Sequence, residues 1–368
     1  MMMRKILPAV LVLTGVVHGQ SEPSASRWRA MFEAADKNGD GVITPDESDR
    51  PRMFRRLDAD GDGRVTPEEA RAAAQARRGD VPPVPQTAPA ASAPSYQAHL
   101  HLPYAEIPGA DPNLLSLDVY SPVPPVKGGA PVVIMVHGGG WRAGDKMNAA
   151  VGREKAAFFT AEGFVYVSVN YRLSPAVRHP AHAEDVARAV AWVFRHIRNY
   201  GGNPGRIYLM GHSAGAHLAA LVATDERYLS ARGVSPSRLQ GVILLDTAGY
   251  DIERNLTRLS EGPFNRALYE SAFGKDPAVW KDASPLIHVR KGKDLPRFLV
   301  FYTDRRSSGP ISRDFAAALR KAGTSASAVL ARGKTHSTLN RDIGKPDDGP
   351  SRLILEFLRG TNSFPESL

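Results

Sequence analysis

The chain has no cysteine among its 368 residues. That absence excludes disulfide cross-links, a thiol nucleophile, thiolate zinc sites and a cysteine-linked lipid, so packing has to hold the fold in any compartment. A run long enough to cross a bilayer is also missing, since the apolar stretch Ile6 to Val17 is too short for one. No H-E-x-x-H spacing occurs, and His99 and His101 alternate with no third ligand nearby, so a zinc hydrolase is not indicated. Acidic excess is absent too: 47 Lys and Arg face 38 Asp and Glu, a formal net charge of +9. The basic residues are spread along the chain, with no zinc finger, basic helix or aromatic-interleaved patch. A solvated surface, with affinity for acidic polymers, is expected in place of a nucleic-acid partner.

What is present divides the chain into four parts. Arg4 and Lys5 precede the apolar stretch, and Gly19-Gln20-Ser21 follows it, the pattern of a signal peptide over residues 1–19. A secreted or periplasmic protein is expected. Residues 20–78 hold two copies of one pattern. Asp36, Asn38, Asp40, Val42 and Glu47 stand at positions one, three, five, seven and twelve of a twelve-residue loop. Asp58, Asp60, Asp62, Arg64 and Glu69 repeat the set, and Gly41 and Gly63 occupy the sharp turn at position six. A hard cation such as Ca2+ takes carboxylates, a backbone carbonyl at position seven and a bidentate Glu at twelve, so the two loops predict a tandem EF-hand module. Only Ser48 to Leu57 separates the loops, room for one short helix, so the module is compressed, and Ile43 and Val65 are the candidates to pair between loops. Structural calcium at the modest affinity of extracellular modules is the expected cofactor. Residues 79–95, rich in Pro and Ala, read as a semi-extended linker with no means of coupling calcium to catalysis.

The remaining part, 96–368, carries the chemistry. Gly211-His212-Ser213-Ala214-Gly215 is a G-x-S-x-G pentapeptide between an apolar run ending at Met210 and an alanine-rich helical stretch. A serine on such a strand-to-helix turn is strained and exposed, as a nucleophile must be. Upstream, Val132 to Val136 reads as a buried parallel strand and runs into His137-Gly138-Gly139-Gly140-Trp141. Backbone amides of Gly139 and Gly140, with that of Ala214, are placed to face a developing oxyanion. His137 is read as shaping this loop. Strand and helix signals between the two motifs give the βαβ order of an α/β fold. The expectation is a mostly parallel central sheet with helices on both faces, preceded by the small helical EF-hand module.

The base and acid must follow the serine in the order Ser, Asp or Glu, His. His336 lies in a loop after the strand Ala326 to Ala331, and it can take the serine proton near neutral pH. The acid is read as Asp304, at the end of the strand Phe298 to Thr303, with Asp246, after Val242 to Leu245, as the alternative. The segment from Gly249 to Pro296 is the largest insertion available to form a pocket. Tyr250, Phe264, Tyr269, Phe273 and Trp280 are its aromatics, and most are read as core.

Taken together, Leu117-Asp118-Val119-Tyr120-Ser121-Pro122, the HGGGW loop, Gly144-Asp145-Lys146, Asn170-Tyr171-Arg172-Leu173, His179-Pro180-Ala181, Asp185 and GHSAGAHLA resemble the carboxylesterases of the α/β-hydrolase fold. The similar branch holds bacterial feruloyl-esterase-like and kynurenine-formamidase-like enzymes. The resemblance implies serine hydrolysis of carboxylic esters with no cofactor for catalysis and does not fix the substrate; expected export favours small-molecule or polysaccharide esters of the environment, such as acetyl or feruloyl esters. Two alternatives stay open. One is a formamidase or amidase acting on a small aryl amide; the other is a calcium-dependent binding protein with an inactive hydrolase domain.

Overall fold

In a computed structural model, the residues described are 96–361 except 149, 248 and 260–262, together with 364–365. In the N-terminal module they are 32, 34–36, 42–44, 47–48, 53–54, 57–58, 63–67 and 69–70. The candidate leader and linker, and the candidate ligands Asn38, Asp40, Asp60 and Asp62, lie outside the described residues.

The described strands are β1 (Tyr96–Pro103), β2 (Ser116–Pro122), β3 (Ala130–Val136), β4 (Val165–Val169), β5 (Gly202–His212), β6 (Leu239–Leu245), β7 (Phe298–Tyr302) and β8 (Ala326–Leu330). They form one sheet in the order β1-β2-β4-β3-β5-β6-β7-β8. β1 and β2, and β2 and β4, pair antiparallel, and β4 through β8 run parallel. The parallel strands are apolar on both sides because both faces are covered. Their alternation divides the core in two. Val132, Ile134 and Val136 of β3 join Leu209 of β5 and Val242 of β6 in one cluster. Val133 and Met135 join Met210 and Ile243 in the other. Each such side chain contributes about 1.5–3 kcal/mol when fully buried.

The principal helices are α1 (Arg153–Ala161), α2 (Ala181–His196), α3 (Ala214–Thr224), α4 (Pro263–Phe273), α5 (Ser308–Lys321), α6 (His336–Arg341) and α7 (Gly349–Leu358). α2 and α3 supply Val186, Val190, Leu218 and Leu221 to the first cluster. α1 and α7 supply Phe159, Ile354 and Phe357 to the second. α3 leaves the C-terminal edge of β5 directly through Ser213, so the serine stands where open α/β sheets place their sites.

In the N-terminal module, Ile43 and Val65 form an antiparallel bridge with N···O distances of 2.9 and 2.8 Å. They pack with Phe32, Phe54 and Ala70 in a small core of their own. Gly63 occupies the left-handed region at position six (φ +82°), and its amide donates to the position-one carboxylate of Asp58 at 3.2 Å. At position twelve, Glu47 and Glu69 each accept from the amide and hydroxyl of the position-nine threonine, Thr44 or Thr66. The donor chemistry and the loop-to-loop bridge fit an oxygen-liganded cation at both loops.

Candidate active site

Ser213 sits at φ 54° and ψ −119°, a conformation that a residue with a side chain rarely adopts. Its amide is held by the Leu245 carbonyl at 2.9 Å. Such a tight turn demands bare neighbours. A Cβ on Gly215 would stand 2.1 Å from the Val136 carbonyl oxygen, and one on Gly211 would stand 2.3 Å from that of Gly215. The two glycines therefore let β5, the turn and α3 close up against β3.

His336 opens α6. Thr335 caps that helix through a reciprocal pair with Thr338, which fixes the backbone from which the imidazole extends. Its Nε2 lies 2.9 Å from Ser213 Oγ, and its Nδ1 lies 2.7 Å from an oxygen of Asp246. This corrects the choice of acid. Asp304, the residue favoured from strand order, is exposed, whereas Asp246 is fully buried. The cause is register. Leu245 pairs with Phe301, so Asp246 falls level with Tyr302 and Asp304 projects beyond it. The residue just past β7 that reaches the Asp246 carboxylate is Thr303. Its amide and hydroxyl donate to Asp246 at 3.1 and 2.9 Å. Arg305 Nε donates to the same carboxylate at 3.0 Å, and the Ser308 hydroxyl donates to its other oxygen.

Electrostatics follow from these contacts. Burial alone would raise the Asp246 pKa. The hydrogen bond and charge of His336, then the charge of Arg305 and the Ser308 hydrogen bond, outweigh it and hold the carboxyl well below the usual carboxylate range. An ionised Asp246 only accepts hydrogen bonds, so Nδ1 of His336 must carry the proton. Nε2 is then left with a lone pair for the serine hydroxyl.

Two flanking histidines turn out to be part of the site's frame. The His212 ring packs 4.6 Å from that of His336. Its Nε2 donates to the His336 carbonyl at 3.0 Å. Burial, then the charge of His336, push its pKa well below the ordinary imidazole value and keep it neutral. His217 accepts from Trp141 Nε1 at 3.2 Å and donates to the Ala283 carbonyl at 2.8 Å. It thereby anchors the tryptophan that follows the glycine loop. His137 stacks on Tyr171 and donates to the Gly138 carbonyl at 2.7 Å, so its contacts are with the loop itself.

Among the candidate anion donors, Gly140 and Ala214 line a pocket of about 340 Å³ together with Ser213 and His336. Gly139 lies one residue back. It is not in the lining, and its carbonyl accepts from Arg142 and Ala143. None of the three amides donates to a backbone carbonyl among the described residues. Ala214 opens α3, where the first amides of a helix have no partner within it. The rest of the described lining is Arg64, Trp141, Thr247, Asn255, Asn265, Leu268, Tyr269, Arg305 and Ser307. Of the insertion's aromatics Tyr269 reaches the pocket, whereas Tyr250, Phe273 and Trp280 are core. The Phe264 side chain lies outside the described residues.

Sequence reasoning passed over His212, Thr303, Arg305 and Ser308 as parts of this site, and it read Arg64 as a calcium ligand alone. Only His212, inside the pentapeptide, carried a local signal. Described His, Asp and Glu residues do not gather in any group of three able to hold a metal. No helix among the described residues is long and apolar enough to cross a membrane.

The BD-FAE family matches residues 117–314, and the EF hand family matches 29–47 and 52–71. Esterase LipQ of Mycobacterium tuberculosis is 35% identical over 235 residues, 60% of this chain and 52% of that protein. Isoprenylcysteine alpha-carbonyl methylesterase ICME of Arabidopsis thaliana is 32% identical over 233 residues, 57% of this chain and 51% of that protein. The chain thus spans about half the length of these relatives. Among solved structures, esterase B of Lactobacillus rhamnosis superposes with a TM-score of 0.60 at 22% identity, over 72% of this chain and 86% of that one. A truncated carbohydrate esterase from gut microbiota superposes with a TM-score of 0.58 at 20% identity, over 72% of this chain and 95% of that one. At these identities the superpositions speak for the α/β-hydrolase fold.

Proposed function

The chain belongs to the BD-FAE family of α/β-hydrolase esterases, and on that premise we propose that it is a serine carboxylic-ester hydrolase working through Ser213, His336 and Asp246. The observation that carries the reading is the unbroken chain of contacts from Ser213 Oγ through the imidazole to a buried carboxylate, at 2.9 and 2.7 Å.

His336 Nε2 takes the hydroxyl proton as Ser213 Oγ bonds to the ester carbonyl carbon. The amides of Ala214 and Gly140, with Gly139 behind them, receive the oxyanion, each donor being worth about 3–4 kcal/mol of barrier. The tetrahedral species collapses as the carbon–alkoxy bond breaks and His336 returns the proton to the departing alcohol. Water then repeats the cycle, giving its proton to His336 and its oxygen to the acyl carbon, and Ser213 leaves reprotonated. Asp246 stays ionised throughout and stabilises the imidazolium.

In the N-terminal module, Asp36, Glu47, Asp58 and Glu69, with the carbonyls of Val42 and Arg64, would hold Ca2+ together with Asn38, Asp40, Asp60 and Asp62. An ion in each loop would tie together the ends of that loop and would supply no catalytic chemistry. The leader pattern supports export, and export supports environmental esters, such as acetylated or feruloylated polysaccharide, as substrates.

A fluorophosphonate probe should label the wild type and leave Ser213→Ala unlabelled; labelling of the variant would move the nucleophile elsewhere. A panel of nitrophenyl acyl esters, a feruloyl ester and a formyl-aryl amide should show turnover of esters well above the amide. Preference for the amide would reassign the enzyme as an amidase.

A further inference from the structure

The catalytic domain does not build the pocket over Ser213 alone. Arg64, at position seven of the second EF-hand loop, lines it beside Ser213, His336 and Arg305. Position seven gives calcium its backbone carbonyl, so the side chain there is not needed for the ion. In this chain that residue is an arginine, half-buried and in the lining of the pocket that holds Ser213. A second guanidinium, Arg305, lines the same pocket while its Nε holds Asp246. The other polar lining side chains are the amides of Asn255 and Asn265 and the hydroxyls of Thr247 and Ser307. No Asp or Glu occurs among the described lining residues. Arg305 is paired with Asp246, so what the lining offers a carboxylate is the N–H donors of Arg64 beside neutral amides and hydroxyls, and arginine binds carboxylates through paired, charge-assisted hydrogen bonds.

We propose that the pocket takes an ester that carries a carboxylate on its non-reacting end, and that Arg64 is the specificity-determining residue for that carboxylate. The inference rests on the esterase reading above and names its substrate class. It also joins two parts that the linker composition had suggested were independent. The Arg64 carbonyl belongs to the calcium loop, and its guanidinium belongs to the pocket. Loading the loop fixes the backbone from which the guanidinium extends. By reciprocity an anionic ester must then tighten calcium binding by the factor by which calcium tightens the ester.

The test uses the full chain. A monoalkyl succinate places the anion on the acyl side, an acyl ester of glycolic acid places it on the alcohol side, and the dialkyl succinate is the neutral control. Binding is measured by calorimetry on Ser213→Ala, which cannot be acylated, with calcium and with chelator. Turnover is measured on the wild type. At least one anionic ester should bind about tenfold tighter than the neutral ester with calcium, and chelation should remove most of that preference. Arg64→Gln in the Ser213→Ala background should cut the preference to less than about threefold, and Arg64→Lys should restore part of it. Calcium titration should show the same tightening by the anionic ester. Equal binding of anionic and neutral esters overturns the anion site while leaving the hydrolase standing. A preference that survives Arg64→Gln, or is lost equally in Arg64→Lys, overturns the role of Arg64. If the wild type turns over none of the esters and takes no fluorophosphonate label, the hydrolase reading falls and this one with it.

Discussion

Asp246 and Asp304 end adjacent parallel strands of one sheet, and both lie between the serine and the histidine in chain order. One is sealed from solvent and accepts hydrogen bonds from His336, Thr303, Arg305 and Ser308. The other is exposed at the rim. Their side chains are identical, so the whole difference comes from position. A carboxylate orients an imidazole only if it is held within hydrogen-bond reach in a pocket of donors that keeps it ionised despite burial. Asp246 has that pocket because β7 turns Thr303 toward it and Ser308 opens α5 beside it.

The largest expected effect removes the chemistry that this acid serves. Ser213→Ala should lower kcat by about 10⁶-fold on any substrate ester, since members of such a unit act together. A small loss would mean that neither aspartate belongs to the working site. The next effect is in pH. Asp246 is held far below the usual carboxylate range, so it stays ionised as pH falls through that range and adds no proton of its own to the acid limb. The acid limb of kcat/KM should then drop about tenfold per pH unit, the slope of a single proton. A slope of two would place a second titrating group in the site. The sign for stability agrees. A depressed folded pKa gives Asp246 a stabilising contribution that is full above the ordinary carboxylate value and is lost as pH falls through the folded one. Smaller again, Thr303→Val removes one hydroxyl donor from Asp246. Kinetics should show about a tenfold loss in kcat with little change in KM, the scale of one hydrogen bond to a charged group. An unchanged kcat would mean that the carboxylate needs no such support. At the bottom of the scale, Asp304→Asn should leave kcat/KM within about twofold, as expected of an exposed surface group.

The contrast also marks what a single chain can tell. The nucleophile turn, the glycine loop and the position of His336 were legible because each is set within a few residues: Gly211 and Gly215 are spaced by the turn itself, and Thr335 caps the helix that His336 begins. The buried parallel strands were legible from short apolar runs such as Val132 to Val136 and Phe298 to Tyr302. The start of β5 was less visible. It reaches back to Gly202, which pairs with Ala130, through a stretch with little apolar signal. The choice between the two aspartates depended on the pairing of Leu245 with Phe301, a long-range register that no local pattern encodes. The same holds for Arg64, whose place in the pocket depends on how one module meets another across the linker.

The most direct measurement is a side-by-side comparison of Asp246→Asn and Asp304→Asn on one soluble ester, with melting curves to confirm that both variants are folded. Asp246→Asn should lose about 10⁴-fold in kcat because His336 is left in the wrong tautomer, while Asp304→Asn stays near wild type. The opposite ranking, with Asp304→Asn inactive and Asp246→Asn active, would contradict the account and return the acid to the end of β7.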